Sequence, residues 1–393
     1  MHKYVEKLLN GRKVEWKRLG DEEFIEIANN ARKPVKASLR EAGEIPYYGA
    51  NNIQDYVNGY THNGEYVLIA EDGSASLENY SIQYVNGKFW ANNHVHVIRT
   101  KSNKLITKFL YYYLQTFNFI PYLTGGDRTK LTKTKMIEIP FPIPPLDVQR
   151  EIVRVLDNFT ELTAELTAEL SLRKKQYEYY RNKLLTFGDE VEWKELGEVL
   201  QPKGYIRGPF GSALKKEFFV SNGVPIYEQQ HAIYNHRNFR YFVNEKKAKE
   251  LRRFAVKPND LIVSCSGTIG KLSIISEKDK IGIINQALLI LRFDLTQVNI
   301  KYIKYYFECY PNLLLITSGG AIRNIAKRSI IEKIKIPIPP IEKQKEIVEI
   351  LDKFDTLTNS ITEGLPKEIS LRQKQYEYYR DMLLNFSKGI GKK

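Results

Sequence analysis

From Ile152 onward, apolar residues return at alternating steps of four and three: Leu156, Phe159, Leu166, Leu170, Tyr177, Tyr180, Leu184 and Phe187, interrupted only at Thr163 and Arg173. A period of 3.5 marks the seam of a coiled coil rather than the face of a surface helix. Residues 148–187 are therefore expected to form a helix about 60 Å long, at about 1.5 Å per residue, which suits a spacer better than a core element. A second run on the same scheme takes Ile347, Leu351, Phe354, Ile361, Leu365, Ile369, Tyr376, Tyr379, Leu383 and Phe386. It carries a four-residue stutter containing Gly364 and Pro366, which predicts a kink or a break with Pro366 near the first turn of the next helix.

The stretches before each helical run, 14–143 and 191–338, read as α+β. Tyr66–Ala70, His94–Ile98 and Leu261–Ser264 are strand-like and bounded by Gly, Asn and Asp, whereas Thr107–Phe117 and Lys301–Cys309 are helical. Each stretch ends in a proline-rich exit, Ile139–Pro145 or Ile336–Pro340, that stops regular structure and stiffens the passage into the helix.

The chain is one unit written twice. Ile143-Pro144-Pro145-Leu146, with Gln149, Ile152, Val153, Leu156, Asp157 and Phe159 after it, recurs from Ile338 to Phe354 at a constant register of 195 (338 minus 143). Ser171–Arg181 recurs as Ser370–Arg380, and the openings Val14-Glu15-Trp16-Lys17 and Val191-Glu192-Trp193-Lys194 match, as do Leu19-Gly20 and Leu196-Gly197. Tyr4, Lys7, Leu8 and Leu9 echo Tyr180, Lys183, Leu184 and Leu185, so the N-terminus is expected to be a stub of the repeat that lets the two chain ends meet in a pseudo-twofold object.

The whole chain resembles the specificity subunits of type I restriction-modification enzymes. The segments that carry the likeness are Ile45–Asn52, Glu71–Ser74 and Phe89–His94 in the first half, and Arg207–Leu214, Ser266–Gly270 and Ser318–Ile325 in the second. The resemblance implies an α+β architecture: two target-recognition domains, separated by two long helices that form an antiparallel coiled coil. The boundaries would be 1–145 for the first recognition domain, 146–187 for the first spacer, 188–340 for the second domain and 341–388 for the second spacer. It further implies that the chain reads a bipartite, non-palindromic target in double-stranded DNA. Two methyltransferase subunits holding S-adenosylmethionine would dock on it, and restriction motor-nuclease subunits using ATP and Mg could join. No cofactor and no catalytic residue is expected in this chain. The tandem tetrads Thr163–Leu166 and Thr167–Leu170 resemble a repeat of one branch of the family in which helix length sets the gap between half-sites. A related bifunctional restriction system, and an enzyme with helical arms and an unrecognised active site, are the alternatives.

Candidate DNA contacts follow from local chemistry. The Gly125-Gly126 loop with Arg128, Lys130 and Lys133 has its counterpart in Gly319-Gly320 with Arg323, Asn324 and Lys327. Glycine lets a backbone come close, Arg reads guanine or grips phosphate, and Lys supplies salt-sensitive charge. Arg207, Ser212 and Lys215 form a second small basic loop, and Tyr47, Asn51 and Gln230 carry side chains able to reach base edges. Each of these is also what an ordinary solvated loop would contain. His94 and His96 could pair on a strand face, but no acidic or cysteine cluster accompanies them. The Glu-x-Lys triplets at Glu15 and Glu192 read as opening strands rather than nuclease residues.

Charge and composition agree with this picture. Lys and Arg outnumber Asp and Glu by 60 to 46, a net +14 that attracts a polyanion. Cys265 and Cys309 are the only cysteines, and no apolar run is long enough for a membrane span, which together point to a cytoplasmic protein with reduced thiols.

Overall fold

The computed structural model describes residues 1–125, 129–316, 324–325 and 327–386. It divides into two units, Met1–Ala168 with Glu368–Lys393, and Glu169–Lys367, so that both long helices pass from one unit to the other.

The first unit is built on a six-stranded sheet in the order Ile25–Ile27, Val95–Thr100, His62–Ala70, Ile82–Ala91, Ala42–Tyr48, Ile53–Val57. The helix Thr107–Gln115 packs on it, and Phe109, Leu110, Tyr112 and Leu114 of this helix are all buried. In the second unit Leu288–Phe293, Leu261–Ser264 and Leu272–Ile274 repeat the central three strands, with Leu200–Arg207 on the outer side of Leu288–Phe293. A second sheet runs Phe219–Val220, Phe242–Val243, Val224–Tyr227, Ile283–Ile284. Two strand pairings mark the equivalence: Ala70 faces Val95 as Ser264 faces Leu288, and Val67 faces Ile98 as Leu261 faces Leu291.

The repeated opening and the proline-rich exit turn out to be partners. Glu15–Arg18 pairs antiparallel with Pro140–Ile143, placing Trp16 opposite Pro142. Trp193–Glu195 pairs in the same way with Lys335–Pro337, placing Trp193 opposite Pro337. These two-stranded ribbons offer edge positions where a proline's missing N–H costs nothing. The ribbon continues as Leu19 and Gly20 donate to the carbonyls of Ile139 and Ile137, and Leu196 and Gly197 to those of Ile334 and Glu332. A Cβ at Gly20 would stand 2.8 Å from that of Ile137, so the repeated glycine allows the close approach.

The first long helix is continuous over Leu146–Leu185, beginning directly after Pro144-Pro145. The second is interrupted: Ile341–Asn359 is followed by Gly364–Leu384, with Gly364 at φ +71° and Pro366 in the first turn of the new helix. The two helical runs meet in each unit by itself: Phe159 stacks on Tyr379 in the first, and Tyr180 on Phe354 in the second. Ile361, placed on the seam by its spacing, is instead 82% exposed, because it falls in the break; Thr358 is buried one turn earlier. In the first unit Val5 and Leu9 of the short helix Lys3–Leu9 join the same core as Leu383, Leu384 and Phe386, so the first residues of the chain and the end of the second helical run share it. Leu185 fills the matching place in the second core.

Candidate nucleic-acid interface

Each recognition domain is fixed to its helix by the same polar clamp, made of residues that the repeat had already singled out. Gln149, fully buried, accepts from the Ile106 N–H (2.9 Å) and donates to the carbonyls of Lys104 (2.9 Å) and Pro144 (2.7 Å). Gln344, equally buried, accepts from Asn299 N–H (2.7 Å) and donates to Gln297 (3.1 Å) and Pro339 (2.8 Å). About two turns further on in each helix, Asp157 takes Lys108 at 2.9 Å and the Tyr112 hydroxyl at 2.6 Å, and Asp352 takes Lys301 at 2.6 Å and the Tyr305 hydroxyl at 2.7 Å. Buried amides with every hydrogen bond made permit one docking orientation and penalise others.

In the first domain the loops that leave the sheet bond to one another. Asn51 donates to the Gly73 carbonyl and accepts from Ala75 N–H, both at 2.8 Å, tying the loop after Tyr48 to the loop after Ala70. Glu71 N–H donates to the His94 carbonyl, and Leu131 N–H to that of Glu71. Asp72 holds both His94 and Lys130, the latter at 3.1 Å. Burial alone would raise the Asp72 carboxyl, but the hydrogen bonds from His94 and Lys130 outweigh it and keep it below the ordinary carboxylate range. Arg32, at 2.7 Å from Glu71, also donates to the Val95 carbonyl. The hairpin that closes at Thr124 and Lys130 thus lies against the loop that follows the central strand.

The second domain repeats the arrangement with other residues. Cys265 N–H donates to the Ala287 carbonyl, as Glu71 does to His94, and Gly208 N–H donates to Leu288. A Cβ at Gly208 would lie 1.9 Å from the Asn285 carbonyl oxygen, so the small loop after Arg207 needs its glycine. Ser264 closes the loop 264–271 by donating to Thr268 and accepting from Lys271 N–H. A Cβ at Gly270 would lie 3.4 Å from Leu315, whose strand Leu315–Ile316 pairs antiparallel with Asn324–Ile325. Burial pushes the Cys265 thiol up to about 12, which keeps it protonated and unreactive as a nucleophile.

The candidate side chains distribute unevenly. Lys130 is half-exposed in the loop cluster, and Lys133 is exposed at the start of the helix Lys133–Met136. Lys327 is exposed ahead of the equivalent helix Arg328–Ile331, and Lys215 is exposed within 3.7 Å of Glu217. Arg207 ends its strand against the ring of Phe210, and its buried Nη1 finds no hydrogen-bond acceptor among the described residues. Arg128 and Arg323, and the side chains of Ser212 and Asn324, lie outside the described residues.

Tyr47 leaves the set. Its ring is 1% exposed, stacked on Trp90 under the Arg40 guanidinium, and its hydroxyl is taken by the backbone of Val35. Strand alternation turns it inward, and Ile226 holds the corresponding place in the second domain. Asn51 has both ends of its amide engaged within the loop, and Gln230 donates to Glu228 at 3.1 Å. His96 is buried against the Leu131 carbonyl while His94 turns out to Asp72. Among the described residues no group of three or more His, Cys, Asp or Glu could hold a metal ion, and no helix is long and apolar enough to cross a membrane. Residue patterning overlooked Asn92 and Asn285, whose equivalence at a register of 193 (285 minus 92) places the same turn in both domains.

The family model for the type I restriction modification DNA specificity domain matches this chain twice, over residues 13–172 and 189–371. A putative type I restriction enzyme specificity subunit of Haemophilus influenzae is 50% identical, with 98% of each chain covered. The EcoR124I/EcoR124II specificity subunit of Escherichia coli is 36% identical over 98% of this chain and 97% of its own. In fold, the crystal structure of the S subunit from M. genitalium superposes with a TM-score of 0.58 at 15% identity, covering 96% of this chain and 98% of the other. Two matched domains, two equal clamps and full-length relatives agree: the chain belongs to the specificity subunits of type I restriction-modification systems.

Proposed function

We propose that this chain reads a bipartite, non-palindromic DNA target and acts as the non-catalytic scaffold on which two methyltransferase subunits assemble, joined by restriction motor-nuclease subunits. The observation that carries the reading is the pairing of equal clamps with unequal loops. The clamps at Gln149 and Gln344 hold two domains in the same way, while equivalent loop positions carry different residues, Glu71 against Cys265, Asn93 against Gln286 and His94 against Ala287. Equal docking supplies two half-sites, and different loops make those half-sites different.

Exposed lysines such as Lys133 and Lys327 would grip phosphates, and the net +14 would bring the chain to DNA in the cytoplasm. S-adenosylmethionine, ATP and Mg would belong to the partner subunits, and adenine would be the methylated base. The test is to map methylated adenines by single-molecule sequencing in cells carrying the methyltransferase partner with and without this chain. A two-part motif that appears only with the chain is expected. Methyl transfer by the chain alone, or a palindromic motif, would refute the proposal.

A further inference from the structure

One turn is built identically in both recognition domains, although the residue at its tip is not the same. Asn92 N–H donates to the Tyr48 carbonyl (3.2 Å), and the Asn92 side-chain oxygen accepts from His94 N–H (2.8 Å). Asn285 N–H donates to the Tyr227 carbonyl (2.9 Å), and its side-chain oxygen accepts from Ala287 N–H (3.0 Å). The next residue but one then anchors each turn to the loop that leaves the central strand, through Glu71 to His94 at 2.9 Å and Cys265 to Ala287 at 2.8 Å. An asparagine closing on the N–H two residues ahead fixes the backbone of the residue between them. Those residues are Asn93 and Gln286.

Both are exposed, and neither side-chain amide makes a hydrogen bond among the described residues. Asn52 and Gln229 are also without a side-chain hydrogen bond among the described residues, but neither sits at the tip of a turn shared by the two domains, and three other amides of these loops are spent. Asn51 spends both ends on Gly73 and Ala75, Gln83 donates to the Gly49 carbonyl, and Gln230 donates to Glu228. A primary amide offers a donor and an acceptor in one plane, which fits the N7 acceptor and N6 donor of adenine in the major groove. The turn lies beside the half-exposed Lys130, held by Asp72, in the first domain, and beside Gly208, the residue after Arg207, in the second. Phosphate contacts from basic side chains set register, and a pinned amide nearby can then read a base edge.

We propose that Asn93 and Gln286 are paired specificity-determining residues, each reading one adenine in its own half-site. The inference rests on the bipartite-target reading above. Its test uses the full chain assembled with its methyltransferase partner, and compares methylation motifs for wild type, Asn93→Ala, Gln286→Ala and Asn93→Asp. Asn93→Ala should relax a single adenine position in one half-site, with discrimination falling about tenfold to a hundredfold, and leave the other half-site intact. Gln286→Ala should do the converse. Asn93→Asp, which can only accept, should move the preference at the same position toward cytosine.

A wild-type motif retained by both alanine variants would overturn the proposal, as would relaxation at a G·C position or a uniform loss of methylation with an unchanged motif. Relaxation in one half-site only, whichever alanine variant is used, would also overturn the paired assignment. A wild-type chain that directs no two-part motif would overturn the underlying function itself.

Discussion

The clamp at Gln149 allows a quantitative test. Replacing Gln149 by Met preserves volume and removes three hydrogen bonds, leaving the Pro144 carbonyl buried, and the Ile106 N–H and the Lys104 carbonyl half-buried, without that partner. At about 1 kcal/mol for each lost bond, and more where a buried group is orphaned, the cost is about 3 kcal/mol. For a body of roughly 150–250 residues this corresponds to a fall of about 6–12 °C in melting temperature. The same loss should appear locally as amide exchange about a hundredfold faster around Ile106. Gln344→Met should reproduce the effect around Asn299, and the two costs should add, because the clamps lie in different units. Thermal melting combined with hydrogen exchange by mass spectrometry measures both quantities. A loss below about 1 kcal/mol in either variant would refute the reasoning, as would exchange that accelerates equally in both units.

Further expectations follow from other parts of the molecule. Burial lowers the imidazoles of His62, His96 and His231 from the ordinary 6.5, so each folds neutral. Stability should be complete above pH 6.5 and fall as the pH drops below it, by up to about 1.4 kcal/mol per pH unit for each histidine. Urea midpoints between pH 7.5 and 5.5 would show the slope, and a flat profile would contradict it. Gly364→Ala should cost about 1–3 kcal/mol in melting experiments, because φ is +71° and the new Cβ would meet the Thr356 carbonyl oxygen at 2.4 Å; an unchanged melt would argue against the break. Adding one Thr-Ala-Glu-Leu tetrad after Leu170 lengthens the first helix by about 6 Å. The methylation motif should then widen its gap by about one to two base pairs at 3.4 Å each, with both half-sites unchanged. A changed half-site would exclude the helix as the ruler.

The periodic parts of this protein were legible because their physics is one-dimensional. The alternation that named Ile152, Leu156 and Leu383 places them in the coil, and Pro366 breaks the second helix where a ring without an N–H must. Gln149 and Asp157 were visible as repeated letters, but their clamp depends on Ile106, Lys108 and Tyr112, which lie about forty residues away and meet them only when the domain folds back. Tyr47 misled because a tyrosine in a loop-flanked motif is as fit for a base as for a core. The apolar Ile226 in the second copy was the available signal that this position faces inward. Ile361 failed for a related reason, since spacing alone carries a seam through a break that leaves the backbone unable to follow it.

What the duplication holds constant and what it lets vary also separates stability from reading. The ribbon positions Trp16 and Trp193, the clamp glutamines and the Asn92 and Asn285 turns are the same residue types; the glutamines and asparagines repeat their hydrogen bonds in each unit, and the tryptophans repeat their backbone pairing opposite a proline. Between these fixed points stand pairs that differ: Asn93 and Gln286, His94 and Ala287, Lys130 and Ile325. A change at a fixed point removes a buried bond and lowers stability in its domain. A change at an exposed variable point such as Asn93 or Gln286 alters the chemistry offered to solvent or to DNA, so one frame can carry two different readers. Each half-site should accordingly respond to its own loop residues alone, and the target should stay non-palindromic for as long as the paired loop residues differ.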